Sequence, residues 1–303
     1  MLNLKKVFVT GLILLLPLSS LASLAQNARE TSGPSPTWAA LWAHIIPGGG
    51  HMYQGDWGKG LLFTTTEVAL FSSSIVLLTK DKKKTDMAAF NLLTLFKNEH
   101  FYNIYSAYQD ARIKIKNENY LSEISKENIL NLLTSPFDLN LLGRWTFLLP
   151  ISVVAGITAW IISDDDRSVK IRSSGASWAL PLLGGQSTTI GVGEEAYFRG
   201  YLQSEFKEFY KNEWLAIGSQ SLLFAAAHDI YIDDPKLPKV ARYWPGALRF
   251  TFAAYSGWVT ERNQYSIREN IAMHAWWDFL LLSGEYLVTG KVEPFVLSVS
   301  LPL

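Results

Sequence analysis

Ionisable side chains cost free energy inside apolar membrane segments, so where they occur there they mark functional sites by default. Four places in this chain break apolar runs in that way. The first is Gly193-Glu194-Glu195-Ala196-Tyr197-Phe198-Arg199, where two adjacent carboxylates end an apolar segment. Arg199 follows Glu195 by four residues, which puts the two on one helical face. Glu194 is rotated from that face by roughly 100°. One carboxylate is thereby expected to be paired and held ionised, while the other stays free for proton transfer. The second place is Phe224-Ala225-Ala226-Ala227-His228, a histidine that closes a face of small residues. The third is His274-Ala275-Trp276-Trp277-Asp278, a His and an Asp at i, i+4 that can bind a metal or orient a substrate carbonyl. The fourth, Glu285, stands without an opposite charge at i−4 or i+4 and receives no role. The chain contains no cysteine, which excludes a thiol nucleophile, a thiolate metal site and a disulfide scaffold.

The elements that must carry these residues read as a multi-span helical membrane protein. Of the 303 residues 49% are hydrophobic, and they are gathered into long uncharged runs separated by short charged loops. The 11 Trp and 13 Tyr suit membrane–water interfaces. A formal net charge of zero suggests no nucleic-acid partner. Lys5 and Lys6, the apolar run Val7–Leu18 and the small-residue site Ser23-Leu24-Ala25 read as a signal peptide over residues 1–25. Residues 26–36 read as a linker. Residues 37–143 are assigned to an N-terminal membrane hairpin and an amphipathic region, and residues 144–303 to the domain that carries the site. In the first of these, Trp38–Ile46 is too short to span and runs into Pro47-Gly48-Gly49-Gly50, and Leu61–Leu78 is long enough to cross. His51 is read as a turn or interface residue. Lys80 to Lys84 mark the cytoplasmic side. Residues 85–143, with Tyr102, Tyr105 and Tyr108 at helical spacing, are expected to form amphipathic helices at or near the membrane surface. Beyond them, Trp145–Ile162, Ala176–Gly193, Trp214–His228, Pro245–Thr260 and Asn270–Val288 are apolar segments, several of them short or broken by Gly and Pro. Such segments suit a bundle with a polar interior. The expected fold is therefore an all-α polytopic transmembrane bundle of six spanning helices, with candidate catalytic residues on several of them.

Taken in order, E-E-x-x-x-R, F-x-x-x-H and H-x-x-x-D, each on its own apolar segment, resemble the CPBP (Abi) family of CAAX prenyl endopeptidases and bacteriocin-processing or immunity proteins. The resemblance covers about Ala176 to Val288, and Gly257-Trp258 fits the family's fourth helix. The segment Trp38–Phe63 in turn resembles the PG-x-G-x-x-Y-x-G…KG hairpins of small bacterial membrane modules of unsettled function.

The first resemblance implies an intramembrane endopeptidase in which Glu194 and His228 activate a water, His274 and Asp278 stabilise the oxyanion, and Glu195 and Arg199 support the site. Asp278 stands where the prenyl endopeptidases carry Asn, and an ionised Asp cannot donate a hydrogen bond. Either it is protonated or it orients His274. No cofactor follows firmly from the sequence. The donor set also admits Zn²⁺, with Glu194, His228 and His274 as ligands. The expected partners are a membrane protein or peptide substrate and the bilayer, in the inner membrane of a bacterium, where a prenylated CAAX substrate is not expected. The loop Asp229–Trp244 is expected to cover the site. Competing readings are a catalytically silent scaffold or immunity-type protein and, with less support because no internal repeat is visible, a transporter.

Overall fold

A computed structural model describes residues 33–79, 82–115, 120–163, 176–228 and 243–289. The signal-like residues 1–25, most of the linker, Lys80-Asp81, Asp164 to Arg167 and the loop 229–242 lie outside the described residues, as do the side chains of Lys82, Lys83 and Lys84. The described chain is helical throughout: α1 (Pro36–Ile45), α2 (Gly49–Tyr53), α3 (Trp57–Thr79), α4 (Lys82–Lys114), α5 (Ile129–Leu133), α6 (Leu139–Leu142), α7 (Trp145–Ser163), α8 (Ala176–Glu195), α9 (Gln203–Tyr210), α10 (Glu213–Ala226), α11 (Trp244–Arg262) and α12 (Arg268–Thr289). A 3₁₀ turn, Ser135–Phe137, precedes α6, and a π-helical run, Ala196–Leu202, joins α8 to α9 without a break.

The start of the chain is set by local chemistry. Ser35 caps α1 by accepting from the Trp38 backbone N–H, and Pro36 takes the first-turn place where a missing N–H costs nothing. At 10 residues α1 is about 15 Å long, half a hydrocarbon core, which agrees with a segment too short to span. The chain then turns at Gly48, whose φ of 71° and approach to Gly60 O, 2.0 Å from where a Cβ would stand, admit only glycine. This turn brings the start of α3 against the Gly48 backbone, and α3 packs along α4. Among the described residues α3 is the one helix long and apolar enough to cross a membrane by itself, and Trp145–Ala159 of α7 is a shorter apolar stretch. Leu61, Leu62, Val68, Phe71 and Val76 of α3, and Trp145, Leu148, Leu149 and Val153 of α7, point outward. These outward apolar faces belong to a membrane helix bundle.

The reading of 85–143 as surface helices needs correction at α4. It is one helix of 33 residues, and Ile104, Tyr105, Ala107, Tyr108 and Ala111 on it are fully buried. It packs against α1, α3, α8 and the π-helical run. Arg112 is also fully buried. Its guanidinium donates to Tyr108 Oη at 2.6 Å and to Ser122 O at 2.5 Å, and lies 3.7 Å from the Tyr120 ring centre. A buried charge is tolerated when hydrogen bonds replace its water, and these do so here. His51 is likewise fully buried, stacked on Phe63 with Nδ1 3.3 Å from Asp110 Oδ2, rather than at an interface.

The boundary drawn at 143/144 does not separate two cores. Ala39 and Ala43 of α1, Tyr105 and Tyr108 of α4, Phe147 of α7, Tyr197 and Tyr201 of the π run, Phe252 of α11 and Ile271 of α12 belong to one buried cluster. Thr37 donates to Glu205 at 3.0 Å, and Glu208 accepts from the backbone N–H groups of Leu121 and Ser122 at 2.6 and 2.9 Å. The N-terminal helices are therefore part of the bundle that holds the site.

Candidate active site

Three structural elements converge on the apolar interior with their polar side chains. The C-terminal end of α8 supplies Glu194 and Glu195, the second residue past α10 is His228, and the middle of α12 supplies His274 and Asp278. The six residues singled out in the sequence come together. The i, i+4 pair forms as expected, with Arg199 Nη1 2.9 Å from Glu195 Oε1 and both side chains fully buried. Arg199 also lies 4.5 Å from the centre of the Phe224 ring, so the aromatic of the second motif packs on the cation of the first.

Each histidine has one ring nitrogen assigned by its partner. His228 Nδ1 lies 2.7 Å from Phe224 O, which can only accept, so Nδ1 carries the proton and Nε2 is directed into the site. His274 Nδ1 lies 2.6 Å from Glu195 Oε1 and donates to that carboxylate. Its Nε2 also faces inward, 3.8 Å from Glu194 Oε2 and 3.6 Å from Asp278 Oδ2. His228 Nε2 is 3.6 Å from the same Glu194 oxygen. Glu194 Oε2 and Asp278 Oδ2 are buried and accept no hydrogen bond from the protein. Two imidazole nitrogens and two carboxylate oxygens thus surround one small space, at separations that a single water bridges. His228, with 15% of its side chain exposed against 2% for Glu194, marks the open side of that space.

One member of the site was not singled out in the sequence. Lys97, on α4, places Nζ 2.7 Å from Glu194 Oε1. A signal for it exists: it follows the uncharged stretch Met87–Phe96 and so is an ionisable group at the edge of an apolar run. Nothing local pairs it with Glu194, 97 positions away.

The zinc option can be weighed on these contacts. Glu194, the first of the three proposed ligands, already has the Lys97 ammonium on one oxygen, where a dication beside it would meet a positive charge. That charge weighs against the zinc option, and no step is derived through it.

Residues 176–280 match the family model described as type II CAAX prenyl endopeptidase Rce1-like. The likeness to that family is confined to this segment. Its match begins at α8 and ends two residues past Asp278, so all six of the motif residues fall inside it and Lys97 does not. Residues 38–105 match a family of unknown function, DUF6677, which covers α1, α2, α3 and the part of α4 that bears Lys97. No curated protein and no solved structure matches the chain. The likeness to a family of CAAX-type endopeptidases implies a membrane protein.

The remaining parts of the segment position the site. Asn212 caps α10 by accepting from the Trp214 and Leu215 N–H groups, which sets where that helix begins and hence where His228 ends up. Asn270 donates to Ser256 O at 3.0 Å and to Thr260 Oγ1 at 2.6 Å, tying α12 to α11 one turn before His274. Gln203 and Gln220 donate to Gly257 O and Ala253 O, so α9 and α10 are fixed to the same helix. The π-helical run begins directly after Glu195, and wide turns of this kind recur at functional sites because they redirect side chains at one point of a helix.

Proposed function

We propose that the chain is an intramembrane endopeptidase that hydrolyses peptide bonds of membrane proteins or membrane-associated peptides with a water activated by Glu194 and His228. The observation that carries this reading is the convergence of Glu194 Oε2, His228 Nε2, His274 Nε2 and Asp278 Oδ2 around one space, from three separate elements, inside the Rce1-like segment.

In this reading the water sits between Glu194 and His228. One of them takes its proton as the oxygen attacks the scissile carbonyl carbon. The carbonyl oxygen, now negative, lies toward His274 Nε2. Because His274 already donates Nδ1–H to Glu195, it can donate to the oxyanion only as imidazolium. Glu195 and Asp278 flank that cation on either side and balance its charge. Asp278 is then an ionised partner of His274 and need not donate a hydrogen bond itself. Collapse of the tetrahedral intermediate breaks the C–N bond, and the proton taken from water passes to the leaving amine. Arg199 holds Glu195 in place.

We assign the protein to the inner membrane of a bacterium as a multi-pass protein, with α3, α4, α7, α8, α11 and α12 as the helices long enough, at 19 residues or more each, to cross. The test is cleavage of a membrane-peptide library by the protein purified into liposomes, comparing wild type with Glu194→Ala. Turnover is expected only with wild type. Equal turnover in both, or none in either, rejects the protease and leaves the scaffold reading.

A further inference from the structure

The Rce1-like segment holds every residue of its own motif, yet the first carboxylate of that motif is met by a side chain from outside it. Lys97 Nζ lies 2.7 Å from Glu194 Oε1, and Lys97 belongs to the segment of unknown function at residues 38–105. Several contacts fix this meeting. Gly193 lets α8 cross α4 so closely that a Cβ there would stand 2.6 Å from the Cα, Cβ and carbonyl oxygen of Asn98, the neighbour of Lys97. Gln186, two turns earlier on α8, donates to Asn91 on α4 at 2.8 Å. Phe101, one turn beyond Lys97, has its ring 5.8 Å from Nζ and stacks on Tyr197 of the π run with centroids 4.4 Å apart. The two helices are thus locked above, at and below the ion pair.

We propose that Lys97 is a positioning residue for Glu194, and that the 38–105 segment acts on the protease site by supplying the cation that holds Oε1 of this carboxylate and turns Oε2 toward the reacting space. The proposal rests on the reading of Glu194 as the residue that activates water. Its physical basis is simple. With Oε1 bonded to an ammonium, the carboxylate cannot rotate, and its free oxygen stays 3.6 Å from His228 Nε2. Among the described residues, the other charged or titratable groups facing Glu194 are His228 after α10, His274 and Asp278 on α12, and Glu195 with Arg199 on its own run. Glu195 and Arg199 neutralise each other, and the His274–Asp278 pair is likewise balanced when both are charged. Lys97 is therefore the charge left to match Glu194.

The test reads Glu194 directly, without proteolysis. Dicyclohexylcarbodiimide adds to protonated carboxyl groups in apolar surroundings and leaves a stable adduct that peptide mass spectrometry locates. At neutral pH, labelling of Glu194 is expected to be slow in wild type and in Lys97→Arg. In Lys97→Met and Lys97→Gln it should be about tenfold faster, because the carboxyl has lost its ammonium partner. Glu195, paired with Arg199, is the internal control and should label slowly in all four proteins. Equal Glu194 labelling in wild type and Lys97→Gln overturns the proposal. So does a rise in both Glu194 and Glu195 labelling, which signals opening of the bundle. Where wild type cleaves peptides, the Met and Gln variants should lose kcat with KM unchanged, and Lys97→Arg should restore it. If labelling behaves as expected while wild type cleaves nothing, the protease reading fails and the pairing of Lys97 with Glu194 stands.

Discussion

Gly193→Ala puts the crossing of α4 and α8 to a quantitative test. The added methyl carbon would stand 2.6 Å from Asn98 Cα, Cβ and O, and the first and last of these are backbone atoms that no rotamer change can move. Ordinary contact begins at about 3.4 Å, so one helix must withdraw by about 1 Å. Overpacking of that kind costs about 1–3 kcal/mol. Glycine to alanine in a helix interior also has a favourable part of about 1 kcal/mol from helix propensity. A second variant cancels that part. Gly218→Ala, in α10, meets nothing within 4 Å and carries the propensity gain alone. Unfolding in mixed lipid–detergent micelles titrated with SDS should therefore place Gly193→Ala below Gly218→Ala by about 1–3 kcal/mol. Peptidase activity should fall in the first and not in the second, because a 1 Å withdrawal also parts Lys97 from Glu194. A Gly193→Ala protein as stable and as active as Gly218→Ala would show that the two helices do not touch as described.

Three further outcomes follow from the geometry. Arg199→Ala leaves the buried Glu195 without its guanidinium and should destabilise by about 3–5 kcal/mol in the same titration. Arg199→Lys should restore little of this, because an ammonium does not reproduce a planar group packed 4.5 Å from the Phe224 ring centre. Asp278→Asn removes the charge that balances His274 and should lower kcat about tenfold or more with KM held, and a fully active variant would reject that role. At the loop before α6, the backbone N–H of Asn140 and then the Arg268 guanidinium hold the Asp138 carboxyl below the usual carboxylate range. Its folded value is lowered, so the contribution to stability is present above about pH 4 and is lost as pH falls through the folded value; Asp138→Asn should flatten this part of the stability–pH curve.

The legibility of the chain differed sharply between its two ends, for reasons visible in single residues. The five apolar segments after Trp145 appear as helices within a few residues of their expected limits, because each is bounded by charge, Pro or a capping residue such as Asn212. The motif residues could be grouped because three ordered, rare signals coincided on separate segments. The role of α4 was not legible. Its charges suggested solvent, yet Arg112 is satisfied by Tyr108, Ser122 and Tyr120, partners that local spacing reveals only in part. Lys97 stayed hidden for a related reason: its partner is remote in sequence, and pairing across the bundle leaves no periodicity. The π-helical run also left no mark, since Ala196–Leu202 has the composition of any buried helical stretch.

That run has a consequence for how positions along this rod are counted. Ala176 to Tyr210 is one unbroken helical path, but its middle seven residues turn more slowly than the rest. Relative to an unbroken α-helix, everything after it is displaced in phase by roughly one residue, about 100° of rotation. A helical wheel drawn from Glu195 therefore gives false neighbours beyond Leu202. The phase that the wide turns create is the one in which Gln203 meets Gly257 O and Lys207 meets Glu261, on α11. The segment works as a spatial frameshift, with one numbering frame facing the reacting groups and another facing the helix that supports them. A single-residue deletion within it would put the two frames back in register and turn one of those faces away from its partners.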